Sequence, residues 1–444
     1  MQDKELWITK YEAAYKFLDE KFSVLCEEFS KNSETNPIEH IKSRIKSPYS
    51  IKEKIVKKIK SDSNIIIDVD DIVLDDEIID KYLNDVVGFR IICSFKSDLV
   101  KLIDLIRNDS DLVLIDEKNY IANPKENGYK SYHMRVLVPV YVNGEKKYVK
   151  AEIQLRTIAM DMSASLEHII YYKKNIDLPD KMMQDMDRTV SICDDFDNMF
   201  NNYINYIKDR HLEKGDIDLN SIPIEDFNRV ILKYEIALNN VKERINLIKE
   251  DCNNHGIVNL IEHVNSRIKN RDRIIRKLNK QGKSPNIENM ESAISDIAAI
   301  RVVCPFKKNI YDVVDRIREF PDIKIIREKD YITNPKDSGY RSYHLIAEVP
   351  VRINNKDIEY VKVEIQVRSM AMDMWASLQR KLCYQNDDYP EIKEELKRYS
   401  NLLAYVDESM DNTSAKSQQL INMSNPLMVK EETKKLVLRR NYSI

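Results

Sequence analysis

The sequence predicts an α+β protein built as two tandem copies of a mixed β-sheet domain flanked by helices. Three observations carry that expectation. The stretch EKNYIANPKENGYKSYH at 117–133 recurs as EKDYITNPKDSGYRSYH at 328–344, with twelve of seventeen positions identical. Paired residues around it keep a nearly constant offset: Asp85 and Asp296, Arg90 and Arg301, and Tyr129 and Tyr340 lie 211 apart, and Glu152 and Glu364 lie 212 apart. A period of that size is a whole domain, far beyond the roughly 20–50 residues of a solenoid repeat. Finally, both copies pass through helical and strand-like patterns in the same order, as a layered α+β domain does. The boundary is expected within His211–Asp216, which gives domains 1–215 and 216–444, the second ending in a helical tail.

Each copy should open with a long amphipathic helix. Trp7, Tyr11, Ala14, Tyr15, Leu18, Phe22, Leu25 and Phe29 recur at three- and four-residue steps, as do Phe227, Val230, Ile231, Tyr234, Leu238, Val241 and Ile245. A basic segment follows, HIKSRIK at 40–46 or HVNSRIK at 263–269. The pair His40 and His263 is offset by 223, because the first copy holds extra residues around DSNIIIDVDDIVLDDE. An apolar strand comes next (VVGFRIICSF; IAAIRVVCPF), then a short helix, then the repeated polar loop running into a second strand. Asn143-Gly144 is a strong two-residue hairpin signal and Asn354-Asn355 a weaker one. The returning strand alternates Val149, Ala151, Ile153 and Leu155 with Lys150, Glu152, Gln154 and Arg156; the second copy repeats this as Val361, Val363, Ile365 and Val367 against Lys362, Glu364, Gln366 and Arg368. One face is then apolar and the other carries a Lys-Glu-Gln-Arg row. Further helices close each copy.

Composition narrows the function. Of 444 residues, 33% are charged, yet the net charge is only −3, so bulk electrostatics do not argue for a nucleic-acid or membrane partner. No apolar run approaches the ~18 residues of a membrane span. The N-terminal MQDKELWITKYEAAYKFL lacks an apolar signal core. The six cysteines form no CxxC pair. A cytoplasmic location is expected.

The polar row and the loop carry the chemistry. A second carboxylate, Asp85 or Asp296, lies upstream of Glu152 or Glu364. A carboxylate pair suits Mg²⁺ with bound phosphates, and one member could take a proton from an attacking hydroxyl. Taken alone, Asp85 reads rather as a helix-end residue and the polar row as a solvated face; the same four polar residues in both copies turn the row toward a site. The basic segments supply Arg44, Lys46 and Lys54, matched by Arg267, Lys269 and Lys277. They lack interleaved aromatic residues, which fits a polyphosphate better than a nucleic acid. Neither a GxxxxGK[ST] nor a GxGxxG loop occurs, so side chains must hold any nucleotide. Lys125, Tyr129 and His133 stand at four-residue steps, as do Lys336, Tyr340 and His344. A Tyr just after Gly suits stacking on a flat base, with a buried core Tyr as the ordinary alternative.

Together these pieces resemble the synthetase domain of the RelA/SpoT family, in particular the small alarmone synthetases: HIKSRIKS and HVNSRIKN, NDVVGFR and SDIAAIR, NPKENGYKSYH and NPKDSGYRSYH, AEIQLRT and VEIQVRS, AMDMSASLEHIIYYK and AMDMWASLQRKLCYQ. The resemblance implies a nucleotidyltransferase-like synthetase fold. It implies Mg²⁺-dependent transfer of pyrophosphate from ATP to the 3′-hydroxyl of GTP or GDP, giving (p)ppGpp and AMP. By it, Asp85 and Glu152 hold Mg²⁺, with Glu152 also the base. Arg44, Lys46, Lys54 and Arg90 hold ATP. Tyr129 stacks on guanine, with Lys125, His133 and Gln154 at the acceptor. The second set is Asp296 and Glu364; Arg267, Lys269, Lys277 and Arg301; Tyr340, Lys336, His344 and Gln366. An internal pseudo-dimer of the copies and assembly into homo-oligomers are expected, with no stable nucleic-acid partner.

The copies depart from the family pattern differently. The first has Ser163 where Trp is usual but keeps Glu167, His168, Tyr172 and Lys173. The second keeps Trp375 but has Gln379, Arg380 and Gln385, with Ala299 for Gly88 and Asn270 for Ser47. The first is the better candidate for full activity. No His-Asp dipeptide occurs, so synthesis without hydrolysis is expected. Two rivals stand: a guanine-nucleotide-binding regulator without turnover, and a pyrophosphokinase acting on another nucleotide or an RNA 3′ end.

Overall fold

A computed structural model describes residues 6–32, 36–62, 67–172, 179–208, 221–254, 260–353, 358–383 and 390–424. Packing divides the chain into two compact units, Met1–Ala164 with Cys193–Asn202, and Ser165–Ile192 with Tyr203–Ile444. The boundary expected within His211–Asp216, the Asn354-Asn355 turn and the end of the C-terminal tail fall outside the described residues.

The first copy runs α1 (Leu6–Asn32), β1 (Ile38–Ile45), α2 (Pro48–Asp62), α3 (Asp76–Tyr82), β2 (Val87–Cys93), α4 (Lys96–Arg107), β3 (Val113–Asn119), β4 (Tyr132–Val142), β5 (Glu145–Thr157) and α5 (Ile158–Glu167). A π-helical turn (His168–Tyr172) then leads to α6 (Asp180–Lys208). The second copy repeats the plan: α7 (Ile224–Asn254), β6 (His263–Ile268), α8 (Arg271–Lys280), α9 (Ile287–Ala293), β7 (Ala298–Cys304), α10 (Lys308–Arg318), β8 (Lys324–Asp330), β9 (Tyr343–Arg352), β10 (Ile358–Ser369), α11 (Met370–Cys383) and α12 (Pro390–Ser424). The described strands form two five-stranded sheets, ordered β1-β2-β5-β4-β3 and β6-β7-β10-β9-β8. Within each, β2 and β5, or β7 and β10, are parallel, and all other pairs are antiparallel. The mixed α+β architecture therefore occurs twice, as the sequence predicts.

The periodicities explain the layers. The α1 stripe buries Trp7, Tyr11, Ala14, Leu18 and Phe22. It lies on the apolar face of the sheet, where the Phe22 and Tyr15 rings each stand 5.4 Å from Phe89. Val149, Ala151, Ile153 and Leu155 face the same core, while Lys150, Glu152 and Gln154 keep partial exposure on the other side. Asn143 and Gly144 both have positive φ (51° and 83°), the backbone that a two-residue hairpin requires.

Two corrections concern strands. The polar stretch 117–133 does not act as one loop: Glu117–Asn119 belong to β3 and pair with Tyr132–Met134. The basic segments are likewise split, between an edge strand (β1, β6) and the following helix (α2, α8). Both missed strands lie at sheet edges, where polar side chains on both faces are tolerated and mask the two-residue period.

Each sheet hands over to its next helix through a hydroxyl cap. Thr157 Oγ1 accepts from the Met160 amide (3.2 Å) and donates to Asp197 on α6 (3.0 Å). Ser369 does the same between Met372 (3.1 Å) and Asp407 on α12 (2.7 Å). Burial pushes both carboxyls up to about 7. A carboxyl raised in the folded state contributes stability below its ordinary value, and that contribution is lost as pH rises through the folded value. The double variant Asp197→Asn/Asp407→Asn should therefore gain thermal midpoint relative to wild type as pH goes from 5 to 8. Parallel curves for the two proteins would remove these carboxyls as the cause.

Candidate active site

Directly paired residues on neighbouring strands point to the same face. On the face opposite the core, register lays polar side chains out in rows. In the first copy one row, read from β1 to β3, is Arg44, Gly88, Glu152, Arg135, Asp116; the next is Lys42, Arg90, Gln154, His133, Lys118. The second copy gives Arg267, Ala299, Glu364, Ile346, Arg327, and then Asn265, Arg301, Gln366, His344, Lys329. Residues drawn from five separate segments thus meet on one surface. Asp85, Glu152, His133 and Lys54 line a common cleft in the first copy.

Asp85 stands just before β2, where Lys46 and Lys54 both donate to its Oδ2 (2.7 and 2.5 Å). Burial pushes this carboxyl up, but the two ammonium groups outweigh it and hold it below the usual carboxylate range. Its Oδ1 is buried without a hydrogen-bond partner. In the second copy the lysines divide: Lys269 takes Asp296 Oδ2 (2.5 Å) and Lys277 takes Oδ1 (2.7 Å).

Glu152 accepts from Gln154 Nε2 (2.6 Å), with His133 Nδ1 at 3.7 Å. Glu364 accepts from Gln366 Nε2 (2.7 Å) and lies 3.1 Å from His344 Nδ1. Burial raises both carboxyls, but the neighbouring imidazole and amide prevail and keep each below the usual range. Both acids are ionised near neutral pH.

The loop residues form an aromatic cluster. Tyr129 OH meets His133 Nε2 at 2.9 Å and accepts from Arg156 Nη2 at 2.6 Å. Tyr120 stands edge-on to Tyr129 and to His133. Lys125 Nζ lies over both tyrosine rings, 5.0 Å from Tyr120 and 4.7 Å from Tyr129. The second copy reproduces this with Tyr340, His344, Arg368, Tyr331 and Lys336. Both tyrosines stay half-buried, their hydroxyls held, with a lysine ammonium and an arginine guanidinium over each ring.

Tyr120 and Tyr331 escaped the sequence reading as site members, and so did two buried charged residues in each copy. Arg156 and Arg368, on the polar row, are buried and clamp the loop tyrosines. Asp161 and Asp373, in the first turn of the next helix, are buried and bind those arginines. The block Ala-Met-Asp-Met at 159–162 and 371–374 is identical in both copies, and an acid persisting inside an apolar run was the available signal.

The departures between copies have structural counterparts. Trp375 is buried and donates from Nε1 to the Leu396 carbonyl on α12 (2.8 Å), with its ring 6.3 Å from Tyr340. Ser163 instead donates to the Met160 carbonyl (3.1 Å). The Gly339 carbonyl accepts from Ser400 Oγ on α12 (2.5 Å), and Arg341 donates to the Ser400 carbonyl (3.1 Å). In the first copy Lys130 reaches Asp194 on α6 (2.7 Å). Lys173, Gln385 and the Tyr172 side chain lie outside the described residues.

A sequence profile of the region found in RelA / SpoT proteins matches residues 43–177 and 266–389. The chain is similar to GTP pyrophosphokinase YwaC of Bacillus subtilis (strain 168), with 40% identity over 195 residues covering 44% of this chain and 92% of that protein. It is 32% identical over 184 residues to GTP pyrophosphokinase YjbM of the same organism, covering 41% and 80%. Among solved structures, small alarmone synthetase 1 from Bacillus subtilis bound to its product pppGpp aligns over 44% of this chain and 99% of that one, with 28% identity and a TM-score of 0.41.

The lock on the second loop is testable. Gly339 has φ +86°, and a Cβ there would stand 2.6 Å from Ser400 Cβ. Gly339→Ala should destabilise the second copy by about 2 kcal/mol or more, from left-handed strain plus the collision. Gly88→Ala adds its methyl to open space and should leave stability unchanged or slightly raised. Calorimetry of the full chain checks both, and a wild-type transition for Gly339→Ala would show that the loop is not locked there.

Proposed function

The chain belongs, in both halves, to the RelA/SpoT family, and from that premise we propose that it is a GTP pyrophosphokinase that makes (p)ppGpp and AMP from GTP or GDP and ATP. The observation that carries this reading is the pairing of Asp85 and Glu152 in one cleft, with lysines on one side and a clamped tyrosine loop on the other. Phosphoryl-type transfer is mostly positioning and charge stabilisation, which is what such a surface can supply.

In the proposed reaction the 3′-oxygen of the guanosine acceptor bonds to the β-phosphorus of ATP. The bond from that phosphorus to the α–β bridging oxygen breaks, and AMP leaves. Glu152 takes the 3′-hydroxyl proton. Lys46, Lys54, Arg44 and Arg90 balance the negative charge of ATP, and Tyr129 offers its ring face to guanine beside Lys125 and His133. Asp85 and Glu152 would hold Mg²⁺, which when bound supplies charge neutralisation at the transferred phosphates. The residues fit that ion: Asp85 Oδ1 is buried and unpartnered, and Glu152 is ionised, a weak base but a good cation ligand.

A specific set of observations favours unequal copies. Both oxygens of Asp296 are engaged by lysines, whereas Asp85 keeps one unengaged. The methyl of Ala299 also stands between Arg267 and Glu364, where Gly88 leaves open space. The first copy is then the main synthetase, and the second is slower or holds nucleotide without turnover.

Purified protein with Mg²⁺, ATP and GDP or GTP should release AMP and a 3′-pyrophosphorylated guanosine nucleotide, read by chromatography; no AMP from wild type would end the proposal. Glu152→Gln should lower turnover by about 100-fold or more, given what a positioned base contributes. Glu364→Gln should lower it far less, and the reverse order would invert the ranking. In a Glu152→Gln background, Ala299→Gly should raise the residual rate.

A further inference from the structure

One buried acid in each sheet touches both halves of the proposed site. Asp161, only 2% exposed, accepts from Lys42 Nζ (2.7 Å), Arg90 Nη1 (3.0 Å) and Arg156 Nη1 (3.1 Å). Asp373, 4% exposed, accepts from Arg301 Nη1 (2.7 Å) and Arg368 Nη1 (3.2 Å), with His263 Nε2 at 3.7 Å. Burial raises each carboxyl, but the surrounding cations hold it well below its ordinary value, so both acids are charged.

The two arginines on each acid lead in different directions. Arg90 lies beside β1 and its donor-side cations, and Arg301 likewise beside β6. Arg156 holds the Tyr129 hydroxyl and lies over its ring (5.0 Å), as Arg368 does for Tyr340 (5.2 Å). In the first copy a second bridge runs in parallel: Gln154 Oε1 accepts from Arg90 Nε (3.3 Å) and Arg156 Nη2 (3.1 Å), while its amide holds Glu152. In the second copy Arg301 also donates to Ser377 Oγ (2.8 Å), and Gln366 accepts from Arg368 and donates to Glu364.

We infer that Asp161 and Asp373 are positioning residues through which donor and acceptor binding are coupled. The inference rests on the donor and acceptor assignment proposed above. A phosphate arriving on Arg90 draws part of that cation's charge away from the shared carboxylate. The carboxylate then bears more strongly on Arg156, which fixes the tyrosine that receives the base. Linkage makes the effect reciprocal: acceptor binding strengthens donor binding by the same factor. Neither acid touches substrate. The first copy, with its second bridge through Gln154, carries the larger share of the coupling.

The test is calorimetric titration of GDP into the full chain in Mg²⁺ buffer, with and without saturating non-hydrolysable ATP analogue. In wild type the analogue should tighten GDP binding about fivefold or more, within the usual span of coupling between sites. In Asp161→Asn/Asp373→Asn the ratio should fall to about one. If that variant does not fold, the single variants Asp161→Asn and Asp373→Asn take its place, with the larger fall in the ratio expected for Asp161→Asn. A ratio near one in wild type, or a wild-type ratio in the variant that folds, overturns the inference. A purely structural role would lower thermal stability and leave the ratio intact. No turnover is needed, so loss of coupling and failure of the pyrophosphokinase reading are separate results.

Discussion

Each copy hangs on one alternation. Along β5 and β10, residues that face the core take turns with residues that face the site. A slip of one residue would bury the Lys-Glu-Gln-Arg row and expose its Val and Ile neighbours. Parallel pairing with β2 or β7 then sets Gly88 or Ala299 beside the glutamate, and Arg90 or Arg301 beside the glutamine. The row ends in a buried arginine, which low-dielectric surroundings tolerate only with a charge partner. Asp161 and Asp373 meet that requirement, and the start of the following helix is fixed in doing so.

Much of this was legible in the residues themselves. The α1 stripe, the alternation of β5 and the Asn143-Gly144 turn each have a short-range signature and each corresponds to an observed element, while the repeat shows when the chain is laid against itself and corresponds to the two sheets. The edge strands β1 and β3 do not, since their polar side chains read equally well as loop. Asp161 was hidden for a different reason. An acid in the first turn of a helix is already favoured by the helix dipole. Its decisive partners lie 5, 71 and 119 residues away in the chain. Only register brings them together, and register is not written in any single segment.

The copies differ less in inventory than in how the same groups are bonded. Two lysines crowd one oxygen of Asp85 but divide between the oxygens of Asp296. The Asp116–Arg135 ion pair on the β3 side has Arg327 and Ile346 in its place. The first loop is tied to its helix by a salt bridge, the second by a glycine pressed against Ser400. Sequence identity across the loops therefore overstates the likeness of the two surfaces.

The ammonium of Lys125, resting between the Tyr120 and Tyr129 rings, has a consequence for ligand choice. Any flat ring that takes the Tyr129 face must evict a cation from its cation–π contact. A ligand carrying its own anionic tail offers the evicted charge a new partner, whereas a bare base or nucleoside offers none. The platform thus works as a two-part lock that discriminates by charge before it discriminates by shape.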